Sequence, residues 1–195
     1  SPERPDNDKH PERPPPQLTY KDATALLKSD IPKYKVAMFK SERVLDAGVA
    51  GVKPRRMHAR VTTGDFFRAF DVPFLYGGPW NGTADQGPEP VIVISREINQ
   101  KTFGGVNSVG RSVRLNDRDF RVVGVLDTWQ PTPAYFDLNN GTIGVMEDLY
   151  IPFLWGEALE LNSAGNTNCW KSEEINSFRD FVNSECVWIQ FWAEF

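Results

Sequence analysis

Histidine and cysteine each occur only twice in the 195 residues. His10 and His58 lie 48 positions apart, and neither they nor the cysteines fall into a spacing used by zinc sites. No Asp-x-Asp-x-Asp calcium loop is present. Gly104-Gly105 lacks the Lys-Ser/Thr of a phosphate loop and follows a helix, at the dipole end that repels anions. Ser95 sits between Ile94 and Arg96, outside a Gly-x-Ser-x-Gly elbow, so a helix cap is its simpler reading. No apolar run reaches the ~20 residues of a membrane span, and no signal peptide is legible. Basic residues are outnumbered, 22 to 26, and a net charge of −4 excludes nucleic acid as the expected partner. No cofactor or catalytic constellation is read from the chain.

Turn formers are abundant. Fifteen Gly and fifteen Pro favour an α+β chain over an all-helical one. Residues 1–17 hold six of those prolines and almost no apolar side chain, the composition of an extended linker. The chain starts at Ser and ends on WIQFWAEF, like a strand cut at its edge, and is expected to be a piece of a longer protein. Charge is unevenly spread. From Glu147 onward nine acids face only Lys171 and Arg179, which reads either as solvated surface or as an acidic face for a basic partner. Cys169 and Cys186 are close enough in sequence for a disulfide in an oxidising compartment, the alternative being two unrelated buried thiols.

Local patterns place the elements. Thr19 and Asp22 resemble a capping box before a short helix that Pro32 stops. In YKVAMFKSE, Val36, Met38 and Lys40 share one strand face, with Ala37 and Phe39 on the other. RVLDAGVAGVK and RRMHARV read as two further strands. Thr62 and Asp65 again fit a capping box, opening a helix with Phe66, Phe67 and Phe70; residues 81–90 read as a polar loop. VIVIS is a strand buried on both faces, and Ser95 caps the helix REINQKTF, closed by Gly104-Gly105. In VGRSVRLNDRDFRVVGVL, alternation puts Val113, Leu115, Phe120 and Val122 inward around an Asn116-Asp117 turn, with the arginines outward. SEEINSFRDFVNS is expected to be a helix capped by Ser172, and CVWIQFW a final alternating strand.

Two surfaces are candidates for contact. Arg56, His58 and Arg60 share one face of a basic strand, suited to an anionic partner or, equally, to a charged edge that blocks aggregation. Five of the six tryptophans, Trp129, Trp155, Trp170, Trp188 and Trp192, come late in the chain; Trp188 and Trp192 have the same parity. They fit either a ligand groove or packing on a small core. Glu147-Asp148 is read as a solvated loop.

The order of these pieces resembles the periplasmic core domain of MacB-like (FtsX-type) ABC transporter permeases. The matching residues are Val61-Thr62, Phe66-Phe67, Val93-Ile94-Ser95, Phe103-Gly104, Gly110-Arg111, Val122-Val123-Gly124-Val125 and Tyr150-Ile151-Pro152. The resemblance covers about Leu18 to Pro152. It departs at Gly77-Gly78-Pro79, where the family has Gly-Arg, and residues 153–185 stand outside it as an insertion. It implies an α+β fold of two lobes. A ferredoxin-like βαβ lobe would come from the chain ends, about 18–60 and 186–195, and an inserted β-rich lobe from 61–152. It further implies a non-catalytic extracytoplasmic domain of an inner-membrane permease, relaying ATP-driven motion during export. The implied partners are the permease's transmembrane helices, a cytoplasmic ATPase, a periplasmic adaptor protein and a second copy in the full transporter. A different reading is a secreted or periplasmic glycan- or peptide-binding module using the Trp-rich last third. A third, a hydrolase using Asp127 or Glu147, has no nameable base–nucleophile pair.

Overall fold

The computed structural model describes residues 17–48, 51–87, 89–131, 134–137, 146–169 and 173–195. The proline-rich linker before Gln17, Trp170 and the Ser172 cap lie outside the described residues. Eight strands belong to one mixed sheet. They are β1 (Tyr34–Asp46), β2 (Arg55–Thr62), β3 (Phe74–Gly77), β4 (Val91–Ile94), β5 (Ser112–Leu115), β6 (Arg118–Leu126), β7 (Leu149–Pro152) and β8 (Gln190–Glu194). The helices are short: α1 (Tyr20–Leu26), α2 (Asp65–Ala69), α3 (Gly82–Gln86), α4 (Arg96–Phe103), α5 (Trp155–Ala158) and α6 (Phe178–Asn183).

The long first strand organises the sheet. One edge of β1 pairs antiparallel with β2 over Met38–Leu45. Its other edge takes β8 at Tyr34–Met38 and β5 at Leu45–Asp46. Strand order runs β2-β7-β4-β6-β5-β1, and β1 pairs back to β2, so the ladders form a closed circuit of six strands. The two ladders β2–β7 and β4–β6 are parallel and the rest antiparallel.

Two cores lie on opposite faces, and strand alternation sorts residues between them. Ala37, Phe39, Met57, Ala59, Val61, Ile92, Ile94, Leu149 and Ile151 enter the first, with Trp155 and Trp188. Val36, Met38, Val91, Val93 and Tyr150 enter the second, with the α2 phenylalanines and Trp80. VIVIS is thus buried on both faces, as its unbroken apolar run predicts. In the second core Phe66 meets the rings of Phe67, Phe70, Trp129, Phe136 and Tyr150 at 5.1–5.8 Å. Burying one such ring is worth roughly 1.5–3 kcal/mol.

The hairpin Val109–Leu126 follows its sequence pattern. Val113, Leu115, Phe120 and Val122 are buried, and Arg111, Arg114, Arg118 and Arg121 are exposed. Asn116 and Asp117 both take positive φ, as the two-residue turn between right-twisted strands requires. Ser95 caps α4 by accepting from the Ile98 N–H, and Gly104 closes it in the left-handed region. Thr19 caps α1 through the Asp22 N–H.

Four local expectations are corrected. RVLD continues β1 instead of starting a new strand, because β2 pairs with it without a break. The Thr62–Asp65 capping box does not form. The N-cap of α2 is Gly64, whose N–H donates to the Asp85 carboxylate of α3 at 2.9 Å, while the Asp65 carboxylate accepts from the Lys35 N–H. The polar loop 81–90 contains α3 itself. Finally, α6 starts only at Phe178, capped by Ser177, because Asp180 binds both the Ser177 hydroxyl and the Asn176 N–H ahead of it.

Two expectations follow. Gly77 has φ +64°, and a Cβ there would lie 2.1 Å from the Val123 carbonyl. Gly77→Ala should therefore cost more than about 3 kcal/mol in urea unfolding, through strain plus displaced β3–β6 pairing; a loss within experimental error would refute the close approach. Burial drives the Asp85 carboxyl up to about 6, against the opposing hydrogen bonds from Gly64 and Trp80. Its ionised form is thus disfavoured by folding. The associated stability is full below the ordinary pKa near 4 and is lost as pH rises to about 6. Wild type minus Asp85→Asn stability should fall by up to about 3 kcal/mol between pH 4 and pH 7. Parallel pH curves for the two proteins would contradict this.

Candidate functional site

The sheet places two cations directly opposite each other. Lys40 of β1 and Arg60 of β2 are Cα partners on the second-core face. Like charges so placed repel. Two carboxylates arrive from outside the strands to offset them: Asp137, ending the turn at 134–137, and Glu147, two residues before β7. The Arg60 guanidinium donates to both Asp137 and Glu147 through Nη2. Lys40 Nζ lies 2.9 Å from Asp137 Oδ2 and 3.5 Å from Glu147 Oε1. Gln190 of β8 donates to Asp137 Oδ1 at 2.7 Å, and Arg60 Nη1 contacts Met38 Sδ at 3.4 Å. The Phe136 ring lies 5.2 Å from the guanidinium carbon. Arg60 is 0% exposed, Asp137 1% and Glu147 3%.

The electrostatics follow from this packing. Burial alone would discharge Arg60, but its two carboxylates outweigh it and hold the guanidinium above its ordinary range. Burial likewise opposes the Asp137 charge, and Arg60 and Lys40 overcome it, bringing the carboxyl down to about 2. Two positive and two negative groups thus meet at one site that is buried except for the partly exposed Lys40. Isolated, any one of them would cost several kcal/mol to bury.

Parity correctly put Arg56, His58 and Arg60 on one strand face, yet the face is not uniformly wet. Arg56 and His58 lie towards the solvent end, where Glu42 sits 3.1 Å from Arg56 and 3.8 Å from His58. Arg60 lies under the 134–137 turn and is removed from any contact surface. Glu147, read as solvated, is instead its buried counter-ion. Asp148 accepts the His58 N–H through Oδ2 and donates its own N–H to the His58 carbonyl, anchoring this end of β2. Sequence reasoning weighed Asp137 only for a calcium loop with Glu147 and Asp148, which it excluded; nothing in PAYFDLNN marks it as a partner of Arg60.

The described tryptophans do not line one groove. Trp188 is buried beside Tyr20, Phe39 and Phe181, whereas Trp192 is 39% exposed and packs on Phe70 with its Nε1–H on the Phe136 carbonyl. The shared parity fails because β8 begins only at Gln190; Cys186–Ile189 before it are all buried. Trp80 and Trp155 are buried as well. Cys169 and Cys186 form a disulfide. The carboxylates considered for hydrolysis are both engaged and differently placed, Asp127 with Arg96 on the surface and Glu147 with Arg60 inside. Among the described residues no three His, Cys, Asp or Glu side chains gather as a metal site.

Comparison with known proteins identifies this architecture. The family model described as MacB-like periplasmic core domain matches residues 2–179. The chain belongs to that family. Solved structures with the same fold include the periplasmic region of MacB from Actinobacillus actinomycetemcomitans. That match has a TM-score of 0.56 at 16% identity and covers 97% of this chain and 86% of that one. The extracellular domain of the noncanonic ABC-type transporter YknZ from Gram-positive bacteria has a TM-score of 0.55 at 13% identity, covering 98% and 96%. Among curated proteins, the pyoverdine export ATP-binding/permease protein PvdT of Pseudomonas syringae pv. tomato is 27% identical over 136 residues. The match takes in 67% of this chain but only 20% of that protein, so the chain spans about a fifth of that relative.

This MacB-like core domain is an extracytoplasmic domain of an ABC transporter permease. None of its described helices is long and apolar enough to cross a membrane. Within it, the Lys40–Arg60–Asp137–Glu147 cluster ties β1, β2 and β8 to the two segments that cover them. Arg60→Met would leave two buried carboxylates with Lys40 as their remaining cation among the described residues, and should cost about 3–5 kcal/mol in urea unfolding. A loss under about 1 kcal/mol would show that the cluster does not hold the covering segments.

Proposed function

We propose that the domain is non-catalytic and relays motion, driven by ATP hydrolysis elsewhere in the transporter, to periplasmic partners or substrate during export. The observation that carries this reading is the family match over residues 2–179. In the proposal, the parent permease supplies transmembrane helices and works with a cytoplasmic ATPase as a dimer, and an adaptor protein meets the domain in the periplasm. Exposed Arg56, His58 and Trp192 offer contact points for such a partner. The chain ends, about 18–60 and 186–195, would act as one lobe and 61–152 as a second, inserted one. The pairing of β8 with the first half of β1, and the bridge between Leu18 and Ile189, support joining the two ends.

A relay element must transmit displacement without dissipating it. A sheet whose ladders return to their starting strand has few places to yield, and the buried charge cluster fixes β1, β2 and β8 together. These features suit the role. Deleting residues 18–195 from the parent protein, with the membrane helices rejoined by a flexible linker, should abolish ATP-dependent export while leaving membrane insertion intact. Export at the wild-type rate would overturn the reading.

A further inference from the structure

The Cys169–Cys186 disulfide joins two parts of the chain that are already fixed. Before Cys169, Asn162 O accepts from the Ser41 hydroxyl at 2.8 Å, and the Ala164 N–H donates to Lys40 O at 2.8 Å. Gln17 and Asn166 exchange hydrogen bonds at 3.0 and 3.2 Å. After Cys186, Trp188 and Ile189 are buried in the first core. Between them, Asn168 and Val187 exchange both backbone hydrogen bonds, at 3.0 and 2.9 Å, directly beside the disulfide. These anchors do not need the S–S bond to stay where they are.

The stretch that the disulfide encloses is attached differently. Residues 173–177 are all exposed. The six-residue α6 follows them, and a helix this short has no stability of its own in water. Packing holds it: Val182 is buried, and half-buried Phe181 stacks on Trp188 at 5.0 Å. Its hydrogen bonds stay within the segment. Ser177 and Asp180 cap its start, Asn183 donates to the Arg179 carbonyl, and Glu173 accepts from the Glu185 N–H at 2.9 Å. Among the described residues no backbone hydrogen bond joins 173–185 to another part of the chain, and the ion pair that does, Lys21 with Glu185 at 3.2 Å, is exposed and contributes little. Such a segment lies at the low end of local stability, so covalent closure of its loop carries much of its docking. The two cysteines are also unequally placed. Cys169 is exposed and Cys186 is 1% exposed, so a thiolate from solution approaches from the Cys169 side. Exposed disulfides are the ones open to exchange.

We propose that the disulfide is a redox latch: closed, it holds α6 against Trp188, and opened by a dithiol reductant it lets 173–185 leave the first core while the sheet stays folded. The chemistry is thiol–disulfide exchange. One thiolate of the dithiol attacks Cys169 Sγ, the S–S bond breaks, and its electron pair leaves on Cys186 Sγ, which takes up a proton. The second thiolate attacks the mixed disulfide and releases Cys169, so the reductant departs as a disulfide and the chain holds two thiols. Undocking uncovers the Trp188 ring, otherwise 1% exposed. An oxidising extracytoplasmic compartment keeps the latch closed until such a reductant acts. The latch goes beyond the relay role and is tested on this chain alone, with no transport step.

The probe is dithiothreitol, added to the full chain without denaturant, with thiols counted by alkylation and intact mass and amide hydrogen exchange followed by NMR. Both thiols should become alkylatable while the β4 and β6 amides keep their protection. Amides of 178–184 should then exchange roughly tenfold faster or more, and re-oxidation should restore the slow rates. Glutathione, a monothiol, should be found on Cys169 when the mixed disulfide is trapped and mapped. The double variant Cys169→Ser, Cys186→Ser should show the reduced exchange pattern without any reductant. Four outcomes would each overturn the proposal: reduction no faster than global opening of the sheet, unchanged exchange at 178–184 after reduction, equal loss of protection in α6 and the sheet, or glutathione on Cys186.

Discussion

Lys40 and Arg60 face each other across neighbouring strands, inside a protein, and the fold around them is arranged so that this can persist. Two carboxylates must be delivered to the same point. Neither comes from the sheet: Asp137 arrives on a turn after β6, and Glu147 on the approach to β7. Those segments therefore have to lie over β1 and β2, and Gln190 on β8 adds a third tether. The aromatic second core fills the space beside them, with Phe66 and Phe136 flanking the guanidinium. Remove the guanidinium and the cover loses its anchor as well as its counter-ion.

This arrangement also explains what was and was not legible in the sequence. Alternation and turn chemistry are local, so the Val109–Leu126 hairpin, the doubly buried VIVIS strand and the Ser95 and Thr19 caps could be read directly. Burial of a charged residue is not local. Nothing near Arg60 distinguishes it from Arg56 or His58, because the difference is made by Asp137 and Glu147, 77 and 87 positions away. The same holds for α2. Thr62 and Asp65 had the spacing of a capping box, but Asp85 took the orphan N–H and Lys35 took Asp65. Parity misled at Trp188 because the last strand begins at Gln190, four residues later than its pattern. The family resemblance worked because it rests on the order of several local motifs, each weak alone.

The chain also divides its labour by region. The circuit of strands carries the family's shared architecture, and its two cores are packed without exposed functional groups. The stretch 153–185 adds the Cys169–Cys186 disulfide and the exposed Ile175.

The charge cluster also bears on how the chain finds its pairing. Slipping β1 or β2 by one residue would reverse which side chains face each core. For apolar strands such as VIVIS, with similar residues on both faces, a slip would change little in hydrophobicity. In β1 and β2 it would carry Lys40 or Arg60 to the opposite face, against Phe39's neighbours, with no carboxylate in reach. The opposed cations thus act as a key that fits only one alignment, and they make the sheet's register self-checking.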